Sequence, residues 1–286
     1  MQRVLGLAEK GRGKTSPNPM VGAVLVKNGR IVGQGYHHRA GSPHAEIEAL
    51  KRAGRNAQGS TLYVNLEPCC HFGKTPPCTD AIIKAGIRKA VYAVQDPNPR
   101  VSGKGARILR RAGVETRSGL FGDVAAKLNE SYFKFMQTGK PLVTLVIQQS
   151  LDGKKVAFSE SLLNRVLPPQ IRSANVRLSQ KQQSQRFWYN PYRQINSKEE
   201  ALGFLDRLAN QGILSLTVYQ AEGTGGQLLK FGLVDKLCCM VKFQTGGNRN
   251  SLQVDLQIEK ISEALRLRDT DVKTFAQGLF LTGYLN

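Results

Sequence analysis

Two short segments hold most of the residues able to do chemistry. The first is His44-Ala45-Glu46, and the second is Glu67-Pro68-Cys69-Cys70-His71-Phe72-Gly73-Lys74-Thr75-Pro76-Pro77-Cys78. One imidazole and two thiolates make three protein ligands for zinc and leave the fourth position open, as catalytic rather than structural zinc sites do. Zinc held in this way lowers the pKa of a water from 15.7 towards about 7. Glu46 is two residues beyond His44, placed to stand beside that water without ligating, to take its proton and to hand it to a leaving nitrogen. The reading gives His44, Cys69 and Cys78 to the metal and Glu46 to catalysis. Cys70 and His71 lie close enough in sequence to compete. Cys69 is preferred because it follows Pro68, and Cys78 because it opens a helix, where the dipole and free N–H groups favour a thiolate.

Such a site needs strands and helices that bring the two segments together. The first half alternates their signals. Residues 1–11 read as a helix with Val4, Leu5, Leu7 and Ala8 on one side, and Val21 to Val26 as a strand. Asn28-Gly29 predicts a type I′ hairpin turn into a partner strand from Arg30 to Gln34. Helices follow at 43–53, 78–85 and 104–112, with strands at 61–66 and 90–94, and one further helix is expected over 123–138. This alternation predicts an α/β layered domain with helices on both faces. Gly139-Lys140-Pro141 breaks the pattern and marks the boundary, giving domains 1–140 and 141–286. The total of 286 residues suits two domains at roughly 150 each.

The second domain opens with a strand at Leu142 to Ile147. Residues 159–200 are rich in Ser, Gln, Asn and Arg, are interrupted by Pro168-Pro169 and show no period, so they read as loop or poorly ordered chain. A helix at 198–209, a strand at 214–220, a glycine-rich turn Glu222-Gly223-Thr224-Gly225-Gly226, a helix at 226–231 and a strand at 236–243 follow. Strands at 264–269 and 278–284 close the chain.

Composition excludes several classes. Apolar residues make up 41% of the chain, which is globular rather than disordered. No run approaches the roughly 18 apolar residues of a membrane span, and the N-terminal residues lack the apolar core and cleavage site of a signal peptide. Five cysteines in two clusters do not make a disulfide framework, so a reducing cytoplasm is expected. The net charge of +20 is concentrated in residues 1–143, with 23 basic against 9 acidic side chains. That points to an anionic partner, either a phosphorylated small molecule or nucleic acid, or to solubility alone. Aromatic residues do not interleave with the basic ones along the chain, which argues against a stacking platform for single strands.

The H-x-E and P-C elements have the arrangement of zinc-dependent base deaminases. Thr15-Ser16-Pro17-Asn18-Pro19-Met20-Val21-Gly22-Ala23-Val24, His44-Ala45-Glu46, the Glu67–Cys78 stretch and Asp96-Pro97-Asn98-Pro99 closely resemble the riboflavin-biosynthesis deaminase/reductase family over about residues 1–145. Eight residues between Cys69 and Cys78 separate this pattern from cytidine and tRNA-adenosine deaminases. The resemblance implies a cytidine-deaminase-like three-layer α/β/α domain followed by a shortened dihydrofolate-reductase-like α/β domain. It implies zinc on His44, Cys69 and Cys78, with Glu46 as proton shuttle. The implied substrate is 2,5-diamino-6-ribosylamino-4(3H)-pyrimidinone 5′-phosphate, with Asn18, His37, Lys74 and Thr75 near it. Asp96 and Asn98 are read as shaping a turn between Pro97 and Pro99.

In the second half Ser150-Leu151-Asp152-Gly153-Lys154 and the Glu222, Gly223, Gly225 and Gly226 cluster match the family's NADPH-binding reductase. The family's Trp-Ile-Thr segment and its Gly-x-Gly-Thr turn are not visible, so reductase activity and NADPH binding are expected to be weak or lost. The half then persists as a packing or dimerisation platform. The alternatives are a full bifunctional deaminase and NADPH-dependent reductase, and, ranked last, a nucleic-acid base deaminase.

Overall fold

In a computed structural model that describes residues 1–73, 76–174, 176–178, 195–219, 223–243 and 266–285, the first helix is α1 (Gln2–Glu9). The apolar run that follows becomes β1 (Gly22–Lys27). Asn28 and Gly29, with φ of 50° and 74°, turn it back antiparallel into β2 (Arg30–Tyr36). Both turn residues have the positive φ that a type I′ hairpin requires. Then come α2 (Ala45–Ala53), β3 (Thr61–Leu66), α3 (Cys78–Lys84), β4 (Lys89–Val94), α4 (Lys104–Arg111) and β5 (Glu115–Ser118). The sheet order is β2-β1-β3-β4-β5, with β3, β4 and β5 parallel.

Alternation along β1 explains the two covered faces. Ala23 and Leu25 join Ala49 of α2, Ile82 of α3 and Leu109 of α4 in one core. Val24 packs with Val4 and Leu7 of α1 in another. Helix α2 lies directly on β2, and glycine makes that approach possible: a Cβ on Gly33 would sit 2.3 Å from the Ala49 carbonyl oxygen. This contact fixes where the N-terminus of α2, and so His44, stands.

Two features of this unit differ from expectation. Strand β5 has no counterpart in the sequence pattern, because Glu-Thr-Arg-Ser at an exposed sheet edge carries no apolar alternation. The single helix expected over 123–138 is two, α5 (Gly122–Leu128) and α6 (Glu130–Thr138), parted at Asn129. The break has a use. Asn129 accepts from the Met20 backbone N–H at 2.8 Å and donates to the Met20 carbonyl at 2.9 Å. Asn65 donates to the same carbonyl at 2.9 Å and accepts from the Gly22 N–H at 2.8 Å. Two buried amides thus satisfy the backbone of a segment just before β1 and hold it in place.

The chain divides into two compact units, Met1–Gly139 and Lys140–Asn286. The second contains β6 (Leu142–Ser150), α7 (Glu160–Val166), α8 (Pro169–Arg172), β7 (Val176–Leu178), α9 (Lys198–Asn210), β8 (Ser215–Tyr219), α10 (Thr224–Lys230), β9 (Lys236–Lys242), β10 (Leu267–Phe275) and β11 (Gly278–Leu285). The sheet order is β10-β11-β9-β6-β8-β7. Val143 and Leu145 pack with Phe204, Leu205 and Leu208 of α9, while Val146 packs with Leu167 and Ile171. Both faces of this sheet are therefore covered.

Residues 160–172, expected as part of a polar loop, form α7 and α8. They are short, and Pro168-Pro169 starts the second helix rather than ending order, since proline suits the first helical turn. Val176–Leu178 of that expected loop form β7, paired parallel with β8, and residues 175 and 179–194 lie outside the described residues. Strand β10 begins within the expected 264–269 strand and runs further; its exposed, charged edge hides the strand signal. Among the described residues no helix is long and apolar enough to cross a membrane.

Candidate active site

His44 is the residue before α2, in extended backbone conformation, and Cys78 is the first residue of α3. Cys69 lies three residues past β3, where the sheet hands the chain to the loop before α3. His44 Nδ1 is 3.2 Å from Cys78 Sγ and 3.5 Å from Cys69 Sγ, and the Cys78 N–H donates to Cys69 Sγ at 3.4 Å. The three donor atoms lie within 4.8 Å of one another. A tetrahedral ion with bonds of about 2.3 Å to sulfur and 2.0 Å to nitrogen would set nitrogen–sulfur separations of about 3.5 Å. The donor set and its spacing therefore fit zinc.

The three groups share protons. The Cys69 thiol is drawn down to about 4, chiefly by its hydrogen bond with Cys78 and also by those with His44 and the Cys78 backbone, against the effect of burial. His44 rises to about 9 because of the Cys69 hydrogen bond. Glu46, in the first turn of α2, is 4% exposed. Burial pushes its carboxyl up, and the neighbouring Cys69 charge adds to this.

His44, Glu46 and Cys69 line a cavity of about 340 Å³ whose other walls include Asn18, His37, Asp96 and Asn98. His37 Nδ1 is 3.1 Å from the Pro43 carbonyl oxygen, so that nitrogen carries the proton. Nε2 is then the acceptor for Asn18 Nδ2–H at 3.1 Å. Burial lowers the His37 pKa, which keeps this neutral tautomer. The pair fixes the Asn18 amide with one donor engaged. Lys74 and Thr75 lie outside the described residues.

Asp96 and Asn98 do shape the turn expected of them: Asp96 accepts from the Asn98 N–H at 2.8 Å, and Asn98 from the Arg100 N–H at 3.0 Å. Sequence reasoning missed that both also face the cavity. Burial raises the Asp96 carboxyl to about 6, although the Asn98 N–H and the Tyr132 hydroxyl, which donates at 3.1 Å, oppose the rise. The folded protein thus holds this proton more tightly than the unfolded chain, with its ordinary value of 3.8. The associated stability is complete below pH 3.8 and is lost as pH climbs through 6, amounting to about 3 kcal/mol. Asp96→Asn removes the titration. Urea midpoints measured for both proteins from pH 4 to 8 should show the parent losing stability relative to the variant across that window. A difference independent of pH would assign the shift elsewhere.

In the second unit, Gly223 with φ of 63° turns the chain from β8 towards α10, whose first residues Thr224, Gly225 and Gly226 are buried. Glu222 lies outside the described residues. A strand, glycine turn and helix can meet a phosphate through backbone N–H groups.

Residues 1–94 match the family model for the cytidine and deoxycytidylate deaminase zinc-binding region. The chain is 54% identical over 161 residues to riboflavin biosynthesis protein RibD of Aquifex aeolicus, which is 56% of this chain and 45% of that protein. It is 52% identical over 141 residues to the diaminohydroxyphosphoribosylamino-pyrimidine deaminase of Buchnera aphidicola subsp. Schizaphis graminum, 49% of this chain and 96% of that one. The structure is similar to RibD of Acinetobacter baumannii, with a TM-score of 0.85 at 29% identity over 100% of this chain and 97% of that chain. The chain spans about half the length of the curated RibD relatives it matches.

Proposed function

The chain belongs to the RibD family, and from that premise we propose that it catalyses zinc-dependent hydrolytic deamination of the diamino-pyrimidinone ribosyl phosphate of riboflavin biosynthesis. One observation carries the reading: the imidazole, the two sulfurs and the Glu46 carboxylate converge beside one cavity. His44, Cys69 and Cys78 would hold the metal. Zinc, when bound, makes a nucleophile available from water at neutral pH. Glu46 accepts the proton that the attacking water gives up and returns it to the amino nitrogen at C2. The C2–O bond forms, the C2–N bond breaks and ammonia leaves. Asn18, its amide held by His37, offers its oxygen to a ring N–H. Lys74 and Thr75 are assigned to the substrate, with Lys74 meeting its phosphate as a point charge.

The second unit supports a further reading through its strand–glycine–helix turn, namely NADPH-dependent reduction of the deaminated product. The sequence lacks the Trp-Ile-Thr and Gly-x-Gly-Thr elements that this would use, so NADPH binding is weak or absent, and the unit acts as a packing or homodimer platform. Free cysteines and thiolate zinc chemistry support a reducing, cytoplasmic setting.

Purified protein loaded with zinc should hold about one ion per chain and release one ammonia per substrate consumed. NADPH fluorescence should show no saturable change, and the product should cause no NADPH oxidation. A zinc-loaded chain that leaves this substrate intact while deaminating another base would overturn the assignment. Tight NADPH binding would restore the bifunctional reading.

A further inference from the structure

We propose that the outer face of α4, together with Phe72, is a docking surface for single-stranded nucleic acid. From Pro97 to Val114 the chain has five basic residues, Arg100, Lys104, Arg107, Arg110 and Arg111, and no acidic one. Spacing by three and four residues puts Lys104, Arg107 and Arg111 on one stripe of α4, with Arg110 beside them. All four are exposed, whereas Gly105, Ala106 and Leu109 are buried underneath. Arg110 donates to Thr116 Oγ1 at 3.0 Å and Lys104 to the Pro99 carbonyl at 2.8 Å, so both heads are held outside the core. None of the four takes part in an ion pair among the described residues, although nearby Lys89 does, with Glu115. The stripe from 104 to 111 runs about 10 Å, a length over which a stacked strand carries about three phosphates.

The second observation is Phe72, which is 77% exposed. Along the chain it is far from these cations. The fold closes that gap: the Cys70 thiol, two residues before Phe72, donates to the Arg100 carbonyl at 3.7 Å. A bare aromatic ring on a loop tied to the start of a cationic stripe is the combination that binds single strands, phosphates on the cations and a base on the ring. An anionic membrane fits less well, because no large exposed apolar side chain shares the outer face of α4 as an interfacial helix requires. The inference does not depend on the deaminase reading.

The test is fluorescence anisotropy of a labelled single-stranded RNA of about 20 nucleotides, long enough for the 4–16 that a site covers, with the zinc-loaded full chain. Four phosphate contacts predict a loss of affinity of about fifty-fold between 50 and 200 mM salt. The triple variant R107Q/R110Q/R111Q should bind more weakly and lower the slope of log affinity against log salt by about 2. F72A should weaken binding by about tenfold with the slope kept. A control with the same loss of charge, R30Q/K51Q/R55Q, changes three exposed cations elsewhere and should bind as the parent does. Circular dichroism checks that each variant is folded. Equal weakening by both triple variants would reduce the effect to bulk charge and overturn the proposal. So would no RNA binding at 50 mM salt, or binding to phosphatidylserine vesicles without binding to RNA.

Discussion

Glu46→Gln is expected to keep its metal and to lose about a thousandfold in kcat. The size follows from the role: a positioned carboxylate that moves a proton in both halves of a hydrolysis contributes about 10²–10⁴. The substitution is nearly isosteric in the first turn of α2, and none of the three metal-binding atoms belongs to Glu46. It also removes a carboxylate whose burial is unfavourable, as its raised pKa records. The variant should therefore be as stable as the parent or more so, and a loss of turnover cannot be put down to unfolding. Metal content and ammonia release measured on the same preparation decide the matter. A variant with full zinc and near-parental turnover would remove Glu46 from the proton transfer.

The His44, Cys69 and Cys78 cluster was legible because its parts are local in sequence and chemically scarce. His44 and Cys78 stand where strand-to-helix connections end and Cys69 near where one begins, and the fold brings their donor atoms within reach of a single ion. The rest of the cavity was less legible. Asp96 and Asn98 announce a turn, and they make it, but their side chains also face a cavity whose other walls come from the 17–21 segment and α6. Only the folded sheet puts those walls opposite each other. The same holds for Asn129, which reads as one more position in an amphipathic helix. Its partner, Met20, is 109 residues away.

In the fold, elements with buried alternation were easy to read and exposed ones were not. Strand β3 runs from Thr61 to Leu66 as its residues predict, since most of its side chains pack inward. Strand β5, and β10 beyond Asp269, are held by backbone pairing at sheet edges, with side chains in water, so their residue types carry little signal. Helices α7 and α8 escape for a different reason: at seven and four residues they are too short to display a period of 3.6.

Glu67 shows how long-range demands can hide behind an ordinary residue, and its replacement should have the largest effect on stability. Helix α4 begins after Gly103, which has φ of 78° and no side chain to cap the first turn. Its N–H groups would be left buried and unpaired. Glu67, just past the end of β3, supplies the cap from another element: its carboxylate accepts from the Gly103 N–H at 2.9 Å and the Ala106 N–H at 3.0 Å, with the Asp96 N–H at 3.4 Å. The side chain is 2% exposed, and negative charge at a helix N-terminus is favoured. The approach is close enough that a Cβ on Gly105 would lie 2.2 Å from the Pro68 carbonyl oxygen. Glu67→Ala removes charge-assisted hydrogen bonds of about 1.5–3 kcal/mol each and leaves their donors without water, so a loss of about 4 kcal/mol is expected. For a unit of this size that lowers the melting temperature by about 10 °C or more. Because Pro68 and Cys69 follow directly, the metal should also be released at lower chelator concentration. If Glu67→Ala melts within a degree or two of the parent, α4 is held by its buried face alone, and the link from helix cap to metal ligand does not exist.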